Sequence, residues 1–191
     1  MQVKHLLSRL TMTTVLLITT ACSLVGQETP SAPMPPLDEG KAFTSVSVDG
    51  TALSFEIPSG WLSINEPAWE WSPTGTTERR VGIRWQTLTP PAEAEAAMLP
   101  QNAVGLSAKS LSLSWARGRR HTVEVYATPA PAQSGETKAE IIAVETHCLL
   151  TVMQGASRVV YDLFASAPDA EQLAALEPVL TRMLESSALS K

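Results

Sequence analysis

The sequence predicts an α+β domain in which an antiparallel β-sheet is covered by packed helices. Several stretches alternate apolar and polar side chains, which is the period of a strand with one buried face. Two junctions carry residues that favour tight turns, Asp49-Gly50 and Gln154-Gly155-Ala156, so the strands that they join are expected to pair antiparallel. A leucine-rich stretch near the carboxyl terminus has helical spacing and can cover one face of the sheet.

The strands follow from this alternation in chain order. In the opening hairpin Leu53, Phe55 and Ile57 fall on one face of the second strand. The third and fourth strands alternate apolar residues with polar ones, so each is expected to have one dry and one wetter face. The predicted strands cover residues 43–48, 53–57, 81–86, 121–126, 141–153 and 157–165.

Two helices are predicted. A short one over residues 92–99, rich in alanine and glutamate, follows a proline pair and should end at Pro100. A longer one begins at Pro168-Asp169 and carries an apolar stripe that can lie on the sheet. Pro178 interrupts it, and because proline removes a backbone hydrogen bond we expect a kink or two consecutive helices. The stripe consists of Leu173, Leu176, Leu180, Met183 and Leu184.

The amino-terminal segment resembles the signal peptide of a bacterial lipoprotein. In residues 1–21 the first nine carry Lys4 and Arg9 and no acidic residue, an uncharged apolar run follows, and the segment ends at Ala21, immediately before Cys22. The run is too short for a membrane-spanning helix, which needs roughly 20 apolar residues. The resemblance implies cleavage between Ala21 and Cys22 and a diacylglyceryl group on the Cys22 sulfur. The alternative is an ordinary secretory peptide with a chance cysteine near the cut.

The protein is therefore expected outside the cytoplasm, held by lipid on a bacterial membrane, on its cell-surface or periplasmic side. Residues 22–41 are polar and proline-rich and should form an extended tether. Residues 42–191 are enough for a single globular domain with a sizeable core. In this arrangement the membrane contacts the protein through the lipid anchor.

The charge of the mature chain limits its partners. With Lys4 and Arg9 removed, 12 basic residues remain against 19 acidic ones, a net charge of −7 rather than the −5 of the precursor. An acidic domain is repelled by phosphate backbones and by anionic lipid headgroups. We therefore expect no nucleic-acid partner and a domain that does not lie flat on the membrane.

Two short motifs resemble PsbP-like domains. Ile57-Pro58-Ser59-Gly60-Trp61 follows an alternating strand, as in the opening of that family. Tyr161-Asp162-Leu163-Phe164, followed by the helical tail over residues 173–189, is similar to its last strand and closing helix. The resemblance implies an αβα sandwich over the whole domain. Photosynthetic members are oxygen-evolving-complex subunits, and a eukaryotic relative in fold binds a small GTPase, but nothing in this chain matches the residues of either role.

Few residues have the chemistry for catalysis. Glu145, His147 and Cys148 are close in sequence, but in a strand Cys148 shares a face with apolar residues while the other two point the opposite way. We therefore predict that Cys148 is a buried core residue, and with Cys22 acylated it has no disulfide partner. His121 is the one other mature histidine, too little for a histidine-based metal site. Without a recognised catalytic motif, we predict no catalytic residue, metal or cofactor.

Two groups of residues are candidates for a binding surface. Trp69 and Trp71 would share a face of an extended segment, either exposed as a platform for ligands or, as we favour, buried over one end of the sheet. Arg117, Arg119 and Arg120 precede a strand and are expected in a solvated turn, with a carboxylate or phosphate partner as the alternative. The arginine pair before the third strand is interpreted in the same way, as a rim feature.

Three functions from different classes fit these observations. The leading hypothesis is a lipid-anchored, non-catalytic module that binds a protein or envelope component or assists its assembly, and it predicts no deep pocket. The second is a carrier of an apolar ligand, which requires a cavity between sheet and helix lined by apolar and tryptophan side chains. The third is an envelope hydrolase, which requires a histidine within hydrogen-bonding reach of a serine or carboxylate in a cleft.

Overall fold

The computed structural model describes residues 42–65, 69–88, 98–127 and 140–190 of the chain. The signal peptide, Cys22, the tether and most of the 92–99 helix of the sequence predictions lie outside these residues. The part of the chain that the structure describes contains no helix with the length and hydropathy of a membrane span. The elements are β1 (Phe43–Ser47), β2 (Leu53–Pro58), β3 (Leu62–Asn65), β4 (Glu70–Ser72), β5 (Arg80–Leu88), β6 (Ala103–Ser112), β7 (Arg117–Tyr126), β8 (Ile141–Gln154), β9 (Ser157–Ala167), α1 (Ala170–Ser186) and β10 (Ala188–Leu189).

The strands form two antiparallel sheets. The larger has seven strands in the order β3-β4-β5-β9-β8-β7-β6, and the smaller has three in the order β1-β2-β10. Both predicted hairpins are confirmed, because β1 pairs with β2 and β8 pairs with β9. The second turn contains Gly155, whose φ of 61° lies in the region that favours glycine. The described residues thus form antiparallel sheets with one packed helix, α1, and are richer in strand than the expected packed helices imply.

Helix α1 packs on β9 of the larger sheet and on β2 of the smaller one. At its amino end the Asp169 side chain accepts a hydrogen bond from the backbone N–H of Gln172. Pro178 lies inside this single helix, so the expected division into two helices is wrong. The helix continues through Pro178 because apolar side chains are buried on both sides of it. Burying each leucine stabilises the fold by about 1.5–3 kcal/mol, whereas proline inside a helix costs roughly 3 kcal/mol. Leu173, Leu176, Leu180 and Met183 are at most 5 % exposed.

The core fills the space between one face of the seven-stranded sheet, helix α1 and strand β2. We call this sheet face the inner face and the opposite one the outer face. Cys148 belongs to the core and is fully buried, as predicted. Its neighbours on the inner face alternate along the three central strands, as half-buried strands require. They include Val81, Ile83, Leu150, Tyr161 and Leu163.

Strand β7 begins four residues earlier than the sequence indicated, at Arg117. Arg117, Arg119 and Arg120 therefore lie in a strand and not in the expected solvated turn. This part of β7 has no apolar alternation, and its extended form is set by pairing with β6 and β8 on either side. A Cβ at Gly118 would collide with the carbonyl oxygen of Leu149, so the close approach of β7 to β8 requires glycine here.

Candidate functional site

A cluster of charged side chains lies on the outer face of the sheet, where β5, β9 and β8 run side by side. Strand alternation places it there, because Glu145 and His147 point away from the face that carries Cys148, as predicted. Opposite these two residues on β9 lie Ser166 and Phe164. We call its six ionisable residues the outer-face network: Glu70, Arg80, Arg84, Glu145, His147 and Asp162.

His147 is the centre of the network and is fully buried. Its Nδ1 lies 2.9 Å from Oδ2 of Asp162, and its Nε2 lies 2.9 Å from Oε2 of Glu145. An ionised carboxylate only accepts hydrogen bonds, so both ring nitrogens donate and the imidazole is positively charged. Burial by itself lowers the pKa of His147, but the hydrogen bonds to Asp162 and Glu145 raise it to about 9.

Arg84 reaches the network from β5. Its Nη2 donates to Oδ2 of Asp162 over 2.9 Å, and its guanidinium lies 4.5 Å from the centroid of the Phe164 ring. The same Nη2 is 3.3 Å from Nδ1 of His147, so these two donors share one carboxylate oxygen. Gly82 leaves the space that the ring occupies, since a Cβ there would lie 2.8 Å from Cζ of Phe164.

Arg80 completes the network and balances its charge. Its Nε lies 3.2 Å from Oε2 of Glu70, and its Nη2 lies 3.7 Å from Oε1 of Glu145. Burial raises the pKa of Glu145, but the hydrogen bond from His147 outweighs this effect and the net shift is downward. Three positive groups thus face three carboxylates, and the network is neutral only while His147 is protonated.

The arginine pair Arg79-Arg80, at the start of β5, is not the rim feature that the sequence suggested. Arg79 is 4 % exposed, and Arg80 belongs to the network. Arg84 and Asp162 also belong to the site, although the sequence predictions did not include them. The signal that could have found Asp162 is its position in the apolar β9 run, where a carboxylate with every neighbour buried needs a charged partner.

A cavity of about 440 Å³ lies against the network, and Arg80, Arg84, Glu145 and Ser166 are part of its lining. The leading hypothesis expected no deep pocket, so this cavity departs from it. A second cavity of about 460 Å³ lies beside the β1–β2 turn and includes Trp85 and Tyr161. No residue of α1 lines either of these two cavities, so neither is the sheet–helix cavity that the carrier hypothesis requires.

The hydrolase hypothesis required a histidine within reach of a carboxylate, and His147 meets that distance. It does not have the chemistry of a general base, because both ring nitrogens already donate to Glu145 and Asp162. A base needs a free nitrogen that accepts the proton of a nucleophile. A fully buried imidazolium with a pKa of about 9 has a structural role, because it neutralises and positions the carboxylates of Glu145 and Asp162.

The tryptophans do not form an exposed platform. Trp71 is buried in the core and packs edge-on against Phe55, with ring centroids 5.6 Å apart. Trp69 is half-buried and packs against the same core, 6.3 Å from Trp71. The buried alternative therefore describes Trp71 fully and Trp69 in part.

The three arginines of β7 do not share one surface either. Strand alternation turns Arg120 to the inner face, where it pairs with Glu177 of α1. Arg117 and Arg119 are exposed on the outer face. The pair with Glu177 connects β7 to the helix, so Arg120 stabilises the fold, whereas Arg117 and Arg119 lie at the surface.

No protein-family model matches the chain, and no curated protein matches it in sequence. Solved structures do match its fold. LpqN, involved in cell envelope biogenesis of Mycobacterium tuberculosis, is 14 % identical with a TM-score of 0.52, over 81 % of this chain and 94 % of LpqN. The Ran-binding protein Mog1p of Saccharomyces cerevisiae is 10 % identical with a TM-score of 0.51, over 78 % of this chain and 96 % of Mog1p.

The solution structure of cyanobacterial PsbP (CyanoP) from Synechocystis sp. PCC 6803 gives a TM-score of 0.49 at 7 % identity, over 78 % of this chain and 94 % of that one. At such identities a structural match concerns the fold, and a fold hosts unrelated functions. The likeness to LpqN and Mog1p therefore shows that this chain shares their fold.

Proposed function

We propose that this chain is a lipid-anchored, non-catalytic module that binds a partner protein outside the cytoplasm. The processing signal at Ala21 and Cys22 supports the anchor, and the proline-rich residues 22–41 support a tethered domain. Its fold is that of a protein involved in cell envelope biogenesis and of a Ran-binding protein, which agrees with an accessory role. The fully engaged ring of His147 supports a role without catalysis.

The observation that carries the proposal is the free edge of the seven-stranded sheet at β6. Among the described residues β6 pairs with β7 and with no strand on its other side, which leaves a row of outward backbone N–H and C=O groups. Eight of its ten residues are exposed, including Val104 and Leu106. Such an edge is a template for an extended segment of another protein.

The ribbon formed by β6 and β7 is basic although the protein is acidic. Arg117 and Arg119 lie beside Ser112 and Ser110 of β6 on the outer face. Strands are about 4.8 Å apart, so over the short side chain of Ser112 the guanidinium group of Arg117 can reach a strand added outside β6. Lys109 of β6 faces such a strand from the inner side. A carboxylate on the outer or the inner face of the added strand would thus lie near a positively charged side chain.

This charge favours an acidic partner segment over a second copy of the chain. Pairing two β6 strands would bring Lys109 of both copies together with their β7 arginines, and like charges on adjacent strands are destabilising. The bulge between Gly105 and Ser107 also twists one end of the edge. The regular part from Ser107 to Ser112 is then the docking site, and its occupant is an extended segment rich in Asp and Glu.

A short peptide that alternates glutamate with valine tests this edge. We expect it to bind the full chain, and replacing Arg117 with glutamate should weaken peptide binding about fivefold or more, since an ion pair becomes a repulsion. Fluorescence anisotropy of the labelled peptide measures the affinity. Arg158→Glu, which changes an exposed arginine of β9, is the matched control and should have less than about a twofold effect. Equal binding of a peptide with lysine in place of glutamate would refute the proposal.

The anchor has its own test. Replacing Cys22 with alanine should abolish incorporation of labelled palmitate and release the protein from the membrane fraction, because the acyl chains are its proposed attachment. Metabolic labelling followed by membrane fractionation measures both effects, and Cys148→Ala is the matched cysteine control. Unchanged labelling and membrane retention in Cys22→Ala would exclude lipidation at this residue.

A further inference from the structure

We propose that the outer-face cavity binds a small zwitterion, namely an amino acid or a short peptide with a free ammonium and a free carboxylate. The cavity holds about 440 Å³, which lies within the range of small-molecule sites. It is separate from the β6 edge, so this proposal does not depend on the partner segment proposed for that edge.

Arg84 provides the site for a carboxylate. Its Nη2 donates a hydrogen bond to Asp162, whereas its Nη1 has no partner among the described residues. The side chain is 38 % exposed and lines the cavity, and its stacking on Phe164 holds the guanidinium plane in place. An arginine fixed in this way presents N–H donors to a carboxylate with little loss of conformational freedom.

Glu78 and Glu145 provide the site for an ammonium. Both line the same cavity, together with Ser166, whose side chain hydrogen-bonds Glu145 and keeps an oxygen that can accept. Glu145 forms ion pairs with His147 and Arg80, which fix its position. Glu78 is exposed at the rim of the cavity. Three such groups match the three N–H donors of an ammonium.

The rest of the lining is apolar and suits an aliphatic side chain. Val125, Ile142 and Ala143 lie beside the charged groups, and Pro100 and Pro168 complete the wall. Ile142 is 54 % exposed in the structure, so covering it removes apolar surface from water. The cavity thus combines a cationic group, an anionic group and an apolar wall, the three parts of an aliphatic amino acid.

The charge balance of the network argues against a simple anion. Its three cations are matched by three carboxylates, and Glu78 adds a further negative charge at the rim. An anion would contact Arg84 favourably but would be repelled by the carboxylates of Glu145 and Glu78. A zwitterion satisfies both signs without changing the net charge of the site.

L-leucine and two blocked analogues test this inference on the full chain in detergent. N-acetyl-L-leucine lacks the ammonium, and L-leucine amide lacks the carboxylate. Isothermal titration calorimetry should show that leucine binds about tenfold more tightly than either analogue, since each has lost one charge-assisted contact. Equal affinities for all three, or no binding of leucine at about 10 mM, would overturn the proposal.

A variant at the rim separates recognition from folding. Glu78→Gln keeps the shape of an exposed side chain, so the fold should be preserved. It should weaken leucine binding about three- to tenfold and leave N-acetyl-L-leucine unaffected, because only the ammonium contact is changed. Arg182→Gln, at a surface ion pair with Glu56, is the control and should change neither affinity. An equal loss for leucine and N-acetyl-L-leucine in Glu78→Gln would contradict the assignment.

Discussion

Replacing Asp162 with alanine is expected to lower the free energy of unfolding by about 3–5 kcal/mol at neutral pH. The carboxylate is fully buried and accepts hydrogen bonds from both Arg84 and His147 over 2.9 Å. Without it the His147 ring keeps one carboxylate, and Arg84 loses its buried acceptor. Removing one member of a buried charge cluster is costly because the remaining charges stay desolvated.

Urea denaturation of the variant and the native chain measures this loss. Arg182→Gln is the matched control, because it breaks an ion pair with Glu56 that is exposed to solvent. Such a surface pair is worth at most about 1 kcal/mol. If Asp162→Ala cost no more than this control, the outer-face network would not be a stabilising element of the fold.

Stability is also expected to fall as pH rises from about 6.5 to 9. The pKa of His147 is about 9 in the folded chain and has its ordinary value of 6.5 when unfolded. A group whose pKa is raised by folding stabilises the protein fully below the unfolded value, and this contribution is lost as pH rises through the folded value. A shift of this size corresponds to a loss on the order of 3 kcal/mol.

Urea midpoints between pH 6 and 10 measure this dependence, and NMR of the His147 ring reports its protonation directly. The variant His147→Gln should be less stable at pH 6.5 and should lose most of the slope between pH 6.5 and 9. His121→Gln, which changes the neighbouring histidine on β7, should keep the slope. A native profile that is flat over this range would show that His147 is neutral in the folded protein.

The acid side of the profile has a different cause. The pKa of Glu145 is lowered in the folded chain, so its contribution is present above the ordinary value of 4.5 and is lost as pH falls. Together with His147 this places the greatest stability of the network between the two ranges, in weakly acidic to neutral solution. Both residues belong to the same hydrogen-bonded unit, so neither slope belongs to one group alone.

Much of the sheet was predictable because its central strands have a buried face. Alternation identified β2, β5, β8 and β9, and the turn residues predicted the antiparallel pairing of β2 with β1 and of β8 with β9. Strand β6 could not be found in this way, since nearly all of it is exposed and no apolar period marks it. The start of β7 was missed for the same reason, because its arginines are held in a strand by their neighbours.

The candidate site was only half predictable. Strand parity correctly separated His147 and Glu145 from Cys148, which put the two polar residues on one face. It did not place Arg84 and Asp162 there, because their approach to His147 depends on the order of β5, β9 and β8 in the sheet. Sequence periodicity predicts on which face of the sheet a residue lies. The order of the strands decides which side chains become neighbours on that face.

Hydrogen exchange at the β6 edge tests the proposed function most directly. In the full chain, the outward amides of Ser107 to Ser112 should exchange quickly when free and about tenfold or more slowly when the glutamate–valine peptide is bound, because a paired strand protects them. The other edge of the same sheet, β3, should not change and is the internal control. Unchanged exchange in β6 under saturating peptide, or protection that appears at β3 instead, would contradict the proposal.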